Sequence, residues 1–274
     1  MKILAFDIGG TAVKYGFFSD GNEELGQFRV KDETGEENIL AGLSAFCAER
    51  QADYVAVSTP GPFDYATGTS RMKHKLHSLY GISLKDILAR KLPNARIRFM
   101  NDATAFALGV IQEKQELKDR DFSCVMLGTG LGYANVNGGV IQLNEQQTPS
   151  RPMWNMPFLD GIAEDYVSTR ALLSAASDRG FGFTNIKDMA DEVRRGNHKL
   201  SDVFYNFGRY LGLCLEQKRA EDRFDEVVVG GQISKSFDLM KDGFESATKL
   251  PVSLVQNTAT CALYGLYRFA INDQ

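Results

Sequence analysis

The sequence predicts an α/β protein made of two similar domains around a cleft. Three observations predict it. Strand-like and helix-like stretches alternate along the 274 residues, as in α/β rather than segregated α+β folds. An opening pattern of buried strand, Gly/Thr turn, second strand and hairpin turn begins again after residue 121. Between the two copies, Gln112–Asp121 is polar and charged, as a crossover between domains would be. A unit that recurs is a reason to expect two like domains.

In the first copy, Lys2–Ile8 reads as a buried strand ending in Gly9-Gly10, and Val13–Phe18 as a second strand. Ser19–Asn22 turns the chain into a third strand, Leu25–Val30. Two strands joined by a short Gly-rich turn make a hairpin, unlike the strand-to-helix turn of a dinucleotide fold. Ile39, Leu40, Leu43 and Phe46 give helical spacing to Glu36–Arg50. Tyr54–Val57 is a strand running into Ser58–Pro62, a loop because two prolines forbid continuation. Ser83 suits the N-cap of a helix over Leu84–Lys91. Ile97–Met100 is a strand, and Asn101-Asp102 lies where it gives way to the helix Ala103–Val110.

The second copy runs through strand Phe122–Leu127, turn Gly128–Gly132, strand Tyr133–Val136 and turn Gly138-Gly139. Helices are expected over Gly161–Ala176, Ile186–Arg195 and Ser201–Arg219. Val227–Val229 is a strand into Gly230-Gly231-Gln232, with a helix from Ser234. A strand over Pro251–Val255 and a last helix over Thr258–Ala270 follow.

Composition excludes several classes. The chain is 43% hydrophobic and 24% charged, ordinary for a globular protein. Its net charge of -4, without a Lys/Arg stripe, argues against a nucleic-acid surface. Cys47, Cys124, Cys214 and Cys261 are far apart with no C-x-x-C pair, so zinc-ligand spacing is missing and buried reduced thiols are expected. The N-terminus shows no charged leader before an apolar core, and no apolar run nears the ~20 residues of a membrane span. A cytoplasmic protein with neither nucleic-acid nor membrane partners is the expectation.

Four segments could carry chemistry. In Asp7-Ile8-Gly9-Gly10-Thr11 the glycines free the backbone to approach a ligand, and successive N–H groups with the Thr11 hydroxyl could bind phosphate oxygens. Asp7 could hold magnesium, through water because that ion keeps much of its hydration shell; an ordinary tight hairpin is the alternative. Gly128-Thr129-Gly130-Leu131-Gly132 repeats the chemistry in the second copy, and it is not a Walker A loop because no Gly-Lys-Ser/Thr follows. Asp102, beside Asn101, is either a helix-terminus carboxylate or a general base for phosphoryl transfer. Gly230-Gly231 is either a simple tight turn or a backbone surface for adenine or ribose.

Together these segments resemble the ROK family of bacterial sugar kinases and repressors over essentially the whole chain. The resemblance rests on D-I-G-G-T with Lys14, P-G-P at Pro60–Pro62, N-D-A at Asn101–Ala103, L-G-T-G-L-G at Leu127–Gly132, E-D-Y-V-S at Glu164–Ser168 and V-G-G at Val229–Gly231. It implies an actin-like, ribonuclease-H-like two-domain ATPase fold with ATP and sugar in the interdomain cleft. The first domain would be 1–115 completed by a C-terminal helix at about 257–274, and the second 116–256. The implied catalytic base is Asp102, with Gly61, Asn101 and Glu164 binding the sugar. The implied nucleotide site comprises Asp7, Gly9, Gly10, Thr11, Lys14, Gly128, Thr129, Gly130, Gly132, Gly230 and Gly231, with ATP and Mg2+ as the cofactors. A homodimer is left open.

The sequence also departs from the family. Members usually carry a Glu-x-Gly-His motif and a cysteine cluster that hold zinc, whereas Gln146–Pro157 has neither. No zinc site is therefore expected, as in the β-glucoside and certain N-acetylmannosamine kinases. Arg151, Trp154 and Asn155 fall where sugar contacts would lie, although a lone Trp also serves packing. The basic tract Arg71–His77 is either a solvated loop or, through His74 or Lys75, a contact for an anionic acceptor. The resemblance implies a hexose kinase acting on the 6-hydroxyl of glucose or a related hexose. Alternatives are an N-acetylhexosamine or β-glucoside kinase, or a degenerate sugar- or nucleotide-binding member. The family's repressors place a helix-turn-helix domain before this fold, and the chain begins directly at the phosphate-binding strand.

Overall fold

Strand β1 (Ile3–Ile8) is apolar on both faces, and the period-2 geometry of a strand divides it between two layers. In the computed structural model, which describes residues 1–10, 12–29, 39–73 and 76–273, Leu4, Phe6 and Ile8 enter one core cluster and Ile3 and Ala5 another. Antiparallel strands β2 (Ala12–Ser19) and β3 (Asn22–Arg29) extend the sheet on one side of β1. Helix α1 (Ile39–Ala48) leads to β4 (Tyr54–Thr59), which pairs parallel to β1. A short ribbon, β5 (Phe63–Asp64) with β6 (Thr69–Ser70), precedes α2 (Leu84–Lys91). Strand β7 (Arg96–Asn101) then pairs parallel to β4 and runs directly into α3 (Asp102–Glu113). The sheet order is β3-β2-β1-β4-β7.

The second sheet repeats that order. Strands β8 (Phe122–Leu127), β9 (Leu131–Asn137) and β10 (Val140–Ile141) form the antiparallel meander. A ribbon of β11 (Pro157–Phe158) and β12 (Gly161–Ile162) is followed by helices α4 (Ala163–Tyr166), α5 (Thr169–Ser177), α6 (Ile186–Arg194) and α7 (Ser201–Arg219). Strand β13 (Glu226–Gly230) pairs parallel to β8, α8 (Phe237–Ala247) follows, and β14 (Val252–Leu254) pairs parallel to β13. The order β10-β9-β8-β13-β14 matches the first sheet strand for strand. The sequence shows β13 and β14 as strands but reveals the repeat only through its first two strands.

The last helix, α9 (Cys261–Asn272), packs on the first sheet and on α3. A Cβ at Gly109 would stand 1.9 Å from the Cys261 carbonyl oxygen, and one at Gly265 would stand 1.8 Å from that of Ala105. The two helix backbones therefore meet on reciprocal glycines. Residue contacts divide the chain into two units, one of Met1–Gln115, Leu143–Pro149 and Thr260–Gln274, the other of Glu116–Gln142 and Ser150–Ala259. Among the described residues, no helix is long and apolar enough to cross a membrane.

Several boundaries differ from the sequence reading. Gly161–Ala176 is not one helix: it opens as strand β12, makes the single turn of α4 and breaks at Val167. The Ser168 side chain caps α5 by accepting from the Ala171 N–H at 3.3 Å. The final helix starts at Cys261 rather than Thr258, whose hydroxyl is engaged by the Gly231 N–H. Gly132 lies in the β9 ladder opposite Met126 and not in the turn. Helix α3 continues through Gln112 and Glu113, into the segment whose polarity suggests the crossover. The expected end of β3 at Val30 and the start of the first helix at Glu36 lie outside the described residues.

Candidate active site

In the first unit, the segments singled out from the sequence leave one edge of one sheet. Strands β1, β4 and β7 are parallel, so Asp7–Gly10, Pro60–Pro62 and Asn101-Asp102 all lie at or just beyond carboxyl strand ends, where open α/β sheets bind ligands. Register builds a row across this edge: Asp7 pairs with Lys14 on β2 and with Ser58 on β4. The Lys14 ammonium donates to one Asp7 carboxylate oxygen at 3.1 Å, and the Ser58 hydroxyl to the other at 2.8 Å. The Asp7 side chain remains 13% exposed. A single carboxylate with one oxygen already ion-paired fits a magnesium ion held through water better than one stripped of its hydration shell.

The Gly9 N–H closes the β1–β2 turn on the Ala12 carbonyl at 3.0 Å. Gly10 is exposed, and a Cβ there would meet nothing within 4 Å, so the backbone is open to a ligand. Thr11 lies outside the described residues. The setting fits phosphate oxygens approaching backbone N–H groups.

Asn101 proves to be the cap, and Asp102 the first residue of the helix it starts. The Asn101 Oδ1 accepts from the Ala103 N–H at 3.0 Å, satisfying one of the orphan donors of α3. The same N–H also donates to Asp102 Oδ1 at 2.9 Å. Asn101 Nδ2 donates to the Tyr65 hydroxyl at 3.1 Å, and that hydroxyl donates to the Thr59 carbonyl at 3.1 Å. Asn101 thus ties the start of α3 to the strand end that carries Gly61. Burial raises the Tyr65 pKa far above the ordinary phenol value, so the bridge stays neutral at physiological pH. Gly61 itself is open, with Tyr65 and Phe63 atoms only at ordinary contact distance from a Cβ placed there.

The second unit has the same layout. Parallel strands β8 and β13 lead into the turn Gly128–Gly130 and into Gly230-Gly231, with Gly230 opposite Met126. The Gly128 N–H donates to the Gly130 carbonyl at 3.2 Å, and the Gly128 carbonyl accepts both the N–H and the hydroxyl of Thr169 at 2.9 Å. A Cβ at Gly128 would meet nothing within 4 Å. The Glu164 carboxylate accepts the Leu131 N–H at 2.8 Å, so it is spent in part on shaping this loop. Gly231 has φ +88°, and a Cβ there would lie 2.1 Å from the Leu127 carbonyl oxygen.

The other sequence candidates are placed as follows. Arg151 is turned to Asp222 at 2.9 Å and to the Glu221 carbonyl, not presented as a free guanidinium. Trp154 is 46% exposed, unlike a core residue, and Asn155 is exposed beside it. In the basic tract, Arg71 pairs with Asp64 at 3.2 Å, His77 starts a single 3-10 turn, and His74 and Lys75 lie outside the described residues. The four cysteines are buried thiols outside any disulfide. Among the described residues no three His, Cys, Asp or Glu side chains gather as a metal site would need. Sequence reasoning missed Ser58, Tyr65, Thr169 and Thr258. Only Thr169 carried a local signal, since it follows the cap Ser168 in the quoted E-D-Y-V-S stretch.

This layout of two like sheets with glycine turns at their strand ends can be set against known proteins. The ROK family model matches residues 3–145, just over half of the chain. The chain belongs to the ROK family. A beta-glucoside kinase of Klebsiella pneumoniae is 31% identical over 138 residues, covering 49% of this chain and 46% of that protein. A glucokinase of Thermotoga maritima is 28% identical over 151 residues, covering 52% and 46%. These matches span about half the length of the ROK relatives. Among solved structures, a ROK family glucokinase from Streptomyces griseus in complex with glucose and AMPPNP superposes with a TM-score of 0.82 at 21% identity, covering 99% of this chain and 100% of that one. A ROK family transcriptional regulator, a homolog of the E. coli MLC protein, gives 0.81 at 16% identity, covering 99% and 78%. The fold is therefore the actin-like one of ROK proteins.

Proposed function

We propose that this ROK protein is an ATP-dependent sugar kinase that transfers the γ-phosphoryl group to a hydroxyl of a hexose, the 6-hydroxyl of glucose or a related hexose. Because the fold is shared with a transcriptional regulator, the architecture alone does not select catalysis. The observation that carries the reading is Asp102, the first residue of α3, set by the Asn101 cap at the sheet edge that also carries Asp7 and Gly9-Gly10. Phosphoryl transfer asks the protein mainly for positioning, charge neutralisation and one carboxylate to take the hydroxyl proton.

In this reading Asp102 accepts the proton of the attacking hydroxyl, while Asn101, Gly61 and Glu164 orient the sugar. Gly10, Thr11, Thr129 and Gly130 offer backbone and hydroxyl donors to the phosphates, Gly9, Gly128 and Gly132 shape the turns that present them, and Gly230-Gly231 serves the nucleoside. Lys14 adds positive charge beside them. Bound magnesium supplies further neutralisation of phosphate charge, and Asp7 is the residue that would hold it through water. Exclusion of water limits wasteful hydrolysis of ATP.

A second reading keeps the reaction and changes the acceptor to a β-glucoside or an N-acetylhexosamine. The Klebsiella beta-glucoside kinase favours it, at 31% identity, as does the replaced Gln146–Pro157 segment. ADP release is measured with glucose, cellobiose, N-acetylglucosamine and N-acetylmannosamine. Release with one of them fixes the acceptor class, and sugar-independent release alone sinks the kinase reading.

A further inference from the structure

A buried ion cluster in the second unit takes no part in the proposed chemistry. Lys218, in the last turn of α7, and Asp222, three residues beyond that helix, are 1% and 3% exposed and pair at 3.0 Å. Lys218 also reaches Glu221 at 3.0 Å. The Tyr133 hydroxyl of β9 donates to the same Asp222 oxygen at 2.8 Å, and the Arg151 guanidinium donates to the other at 2.9 Å. Burial, with Asp222 alongside, raises the Tyr133 pKa far above the phenol range, so Tyr133 stays protonated and keeps its proton for Asp222. Charges as deep as Lys218 and Asp222 persist only when paired and hydrogen-bonded, which fixes the geometry of those two side chains.

Arg151 carries that geometry into the segment that replaces the family's usual motif. From there, Met153 and Met156 are buried in the core. The Trp154 carbonyl accepts the Glu164 N–H at 3.0 Å, and the Met156 carbonyl accepts the Ala163 N–H at 2.9 Å. Glu164 in turn holds the Leu131 N–H. An unbroken path of hydrogen bonds and covalent chain thus runs from Asp222 to Glu164.

We propose that Asp222, with Lys218 and Arg151, is a positioning device that sets Glu164 for the acceptor sugar. The proposal rests on the kinase reading for its substrate and on the ligand-free chain for its mechanics, so the two are tested apart. Trp154 is the only tryptophan of the chain and sits on the path, so its emission reports the segment directly. Arg151 is 57% exposed, which lets Arg151→Met probe the path without opening the core.

In the ligand-free protein, Arg151→Met is expected to speed hydrogen exchange at the Ala163 and Glu164 N–H groups by about tenfold and to shift Trp154 emission. Arg151→Lys restores both. KM is measured for whichever sugar of the four-member panel the wild type phosphorylates. It is expected to rise roughly ten- to a hundredfold in Arg151→Met, with kcat changed by less than about threefold. Wild-type exchange and emission in Arg151→Met overturn the proposal, as does faster exchange with an unchanged sugar KM. If Arg151→Met does not fold, Asp222→Asn is read by the same exchange measurement. Should the wild type phosphorylate no sugar, the kinase reading fails by itself, and exchange still decides whether Arg151 sets Glu164.

Discussion

Glu164 and Leu131 are joined across 33 residues by one hydrogen bond, the Leu131 N–H donating to the Glu164 carboxylate at 2.8 Å. A Cβ at neighbouring Gly130 would stand 2.6 Å from the same carboxylate oxygen. Gly130 is therefore required by a side chain rather than by its own backbone angles. Gly130→Ala is expected to push the carboxylate aside and free the loop. Because a flexible side-chain end can yield, stability should fall by only about 1 kcal/mol. Affinity for ATP should fall by roughly tenfold, the loss of about one charge-assisted hydrogen bond's worth of loop order. Calorimetric titration with ATP beside urea unfolding checks both halves; intact ATP affinity counts against this loop as a phosphate site.

Gly231→Ala is expected to behave in the opposite way. At φ +88°, with a Cβ 2.1 Å from the Leu127 carbonyl oxygen, the obstacle is the backbone of a core strand. Nothing flexible can give, so β13 and β8 would have to separate at their ends. A loss of about 3 kcal/mol or more follows, visible as a lower urea midpoint at constant m-value.

These two glycines also mark what the sequence could tell. Glycine turns, strand alternation and the Asn101-Asp102 junction are local features, and local turn chemistry and period-2 burial make them readable. The reasons those residues matter are not local. The Lys14–Asp7–Ser58 row exists because register places Ser58, 51 positions away, beside Asp7. The Tyr65 bridge to Asn101 spans 36 positions, and the Arg151–Asp222 pair spans 71. No periodicity encodes such separations. The break at Val167 was within reach, since Ser168 is a residue type that caps helices; the apolar spacing around it read as one continuous helix instead.

Asp102→Asn separates the catalytic role from the structural one. Asparagine keeps an acceptor for the Ala103 N–H, now bonded to Asp102 Oδ1 at 2.9 Å, so stability should change by less than about 1 kcal/mol. It cannot take up a proton at neutral pH, so kcat should fall about 10²–10⁴-fold, with little change in KM for the sugar. A variant that keeps the wild-type rate refutes Asp102 as the base.

Acid stability depends on the C-terminal end of the first unit. The Tyr54 hydroxyl donates to Asp273 at 2.6 Å, and with Arg96 and Arg98 it holds the Asp273 carboxyl below the ordinary carboxylate range. A folded-state pKa below the unfolded value of about 3.9 means that the unfolded chain binds the proton more readily. The stabilisation is therefore complete above about pH 5 and is lost as pH falls through the lowered folded value. Asp273→Asn should be less stable than wild type at pH 7, and the difference should shrink steadily as pH falls below the unfolded value of about 3.9. Thermal melts of both proteins across that range check the sign, and a gap that widens towards acid refutes it.

Asn101 and Tyr65 give the sharpest test of how the base is held. Asn101→Ala removes the α3 cap and the donor to Tyr65 together, so it should cost about 1–2 kcal/mol. Tyr65→Phe removes the relay to the Thr59 carbonyl, leaves Asn101 Nδ2 without that partner and should cost about 1 kcal/mol. Since both substitutions break the same 3.1 Å contact, the double variant should lose less than the sum, with a coupling of about 0.5–1 kcal/mol. The rates should follow. Either single variant loosens Asp102 and lowers kcat, and the second substitution adds little to the first. Strict additivity in both unfolding free energy and kcat would mean that Asn101 caps the helix without positioning the carboxylate beside it.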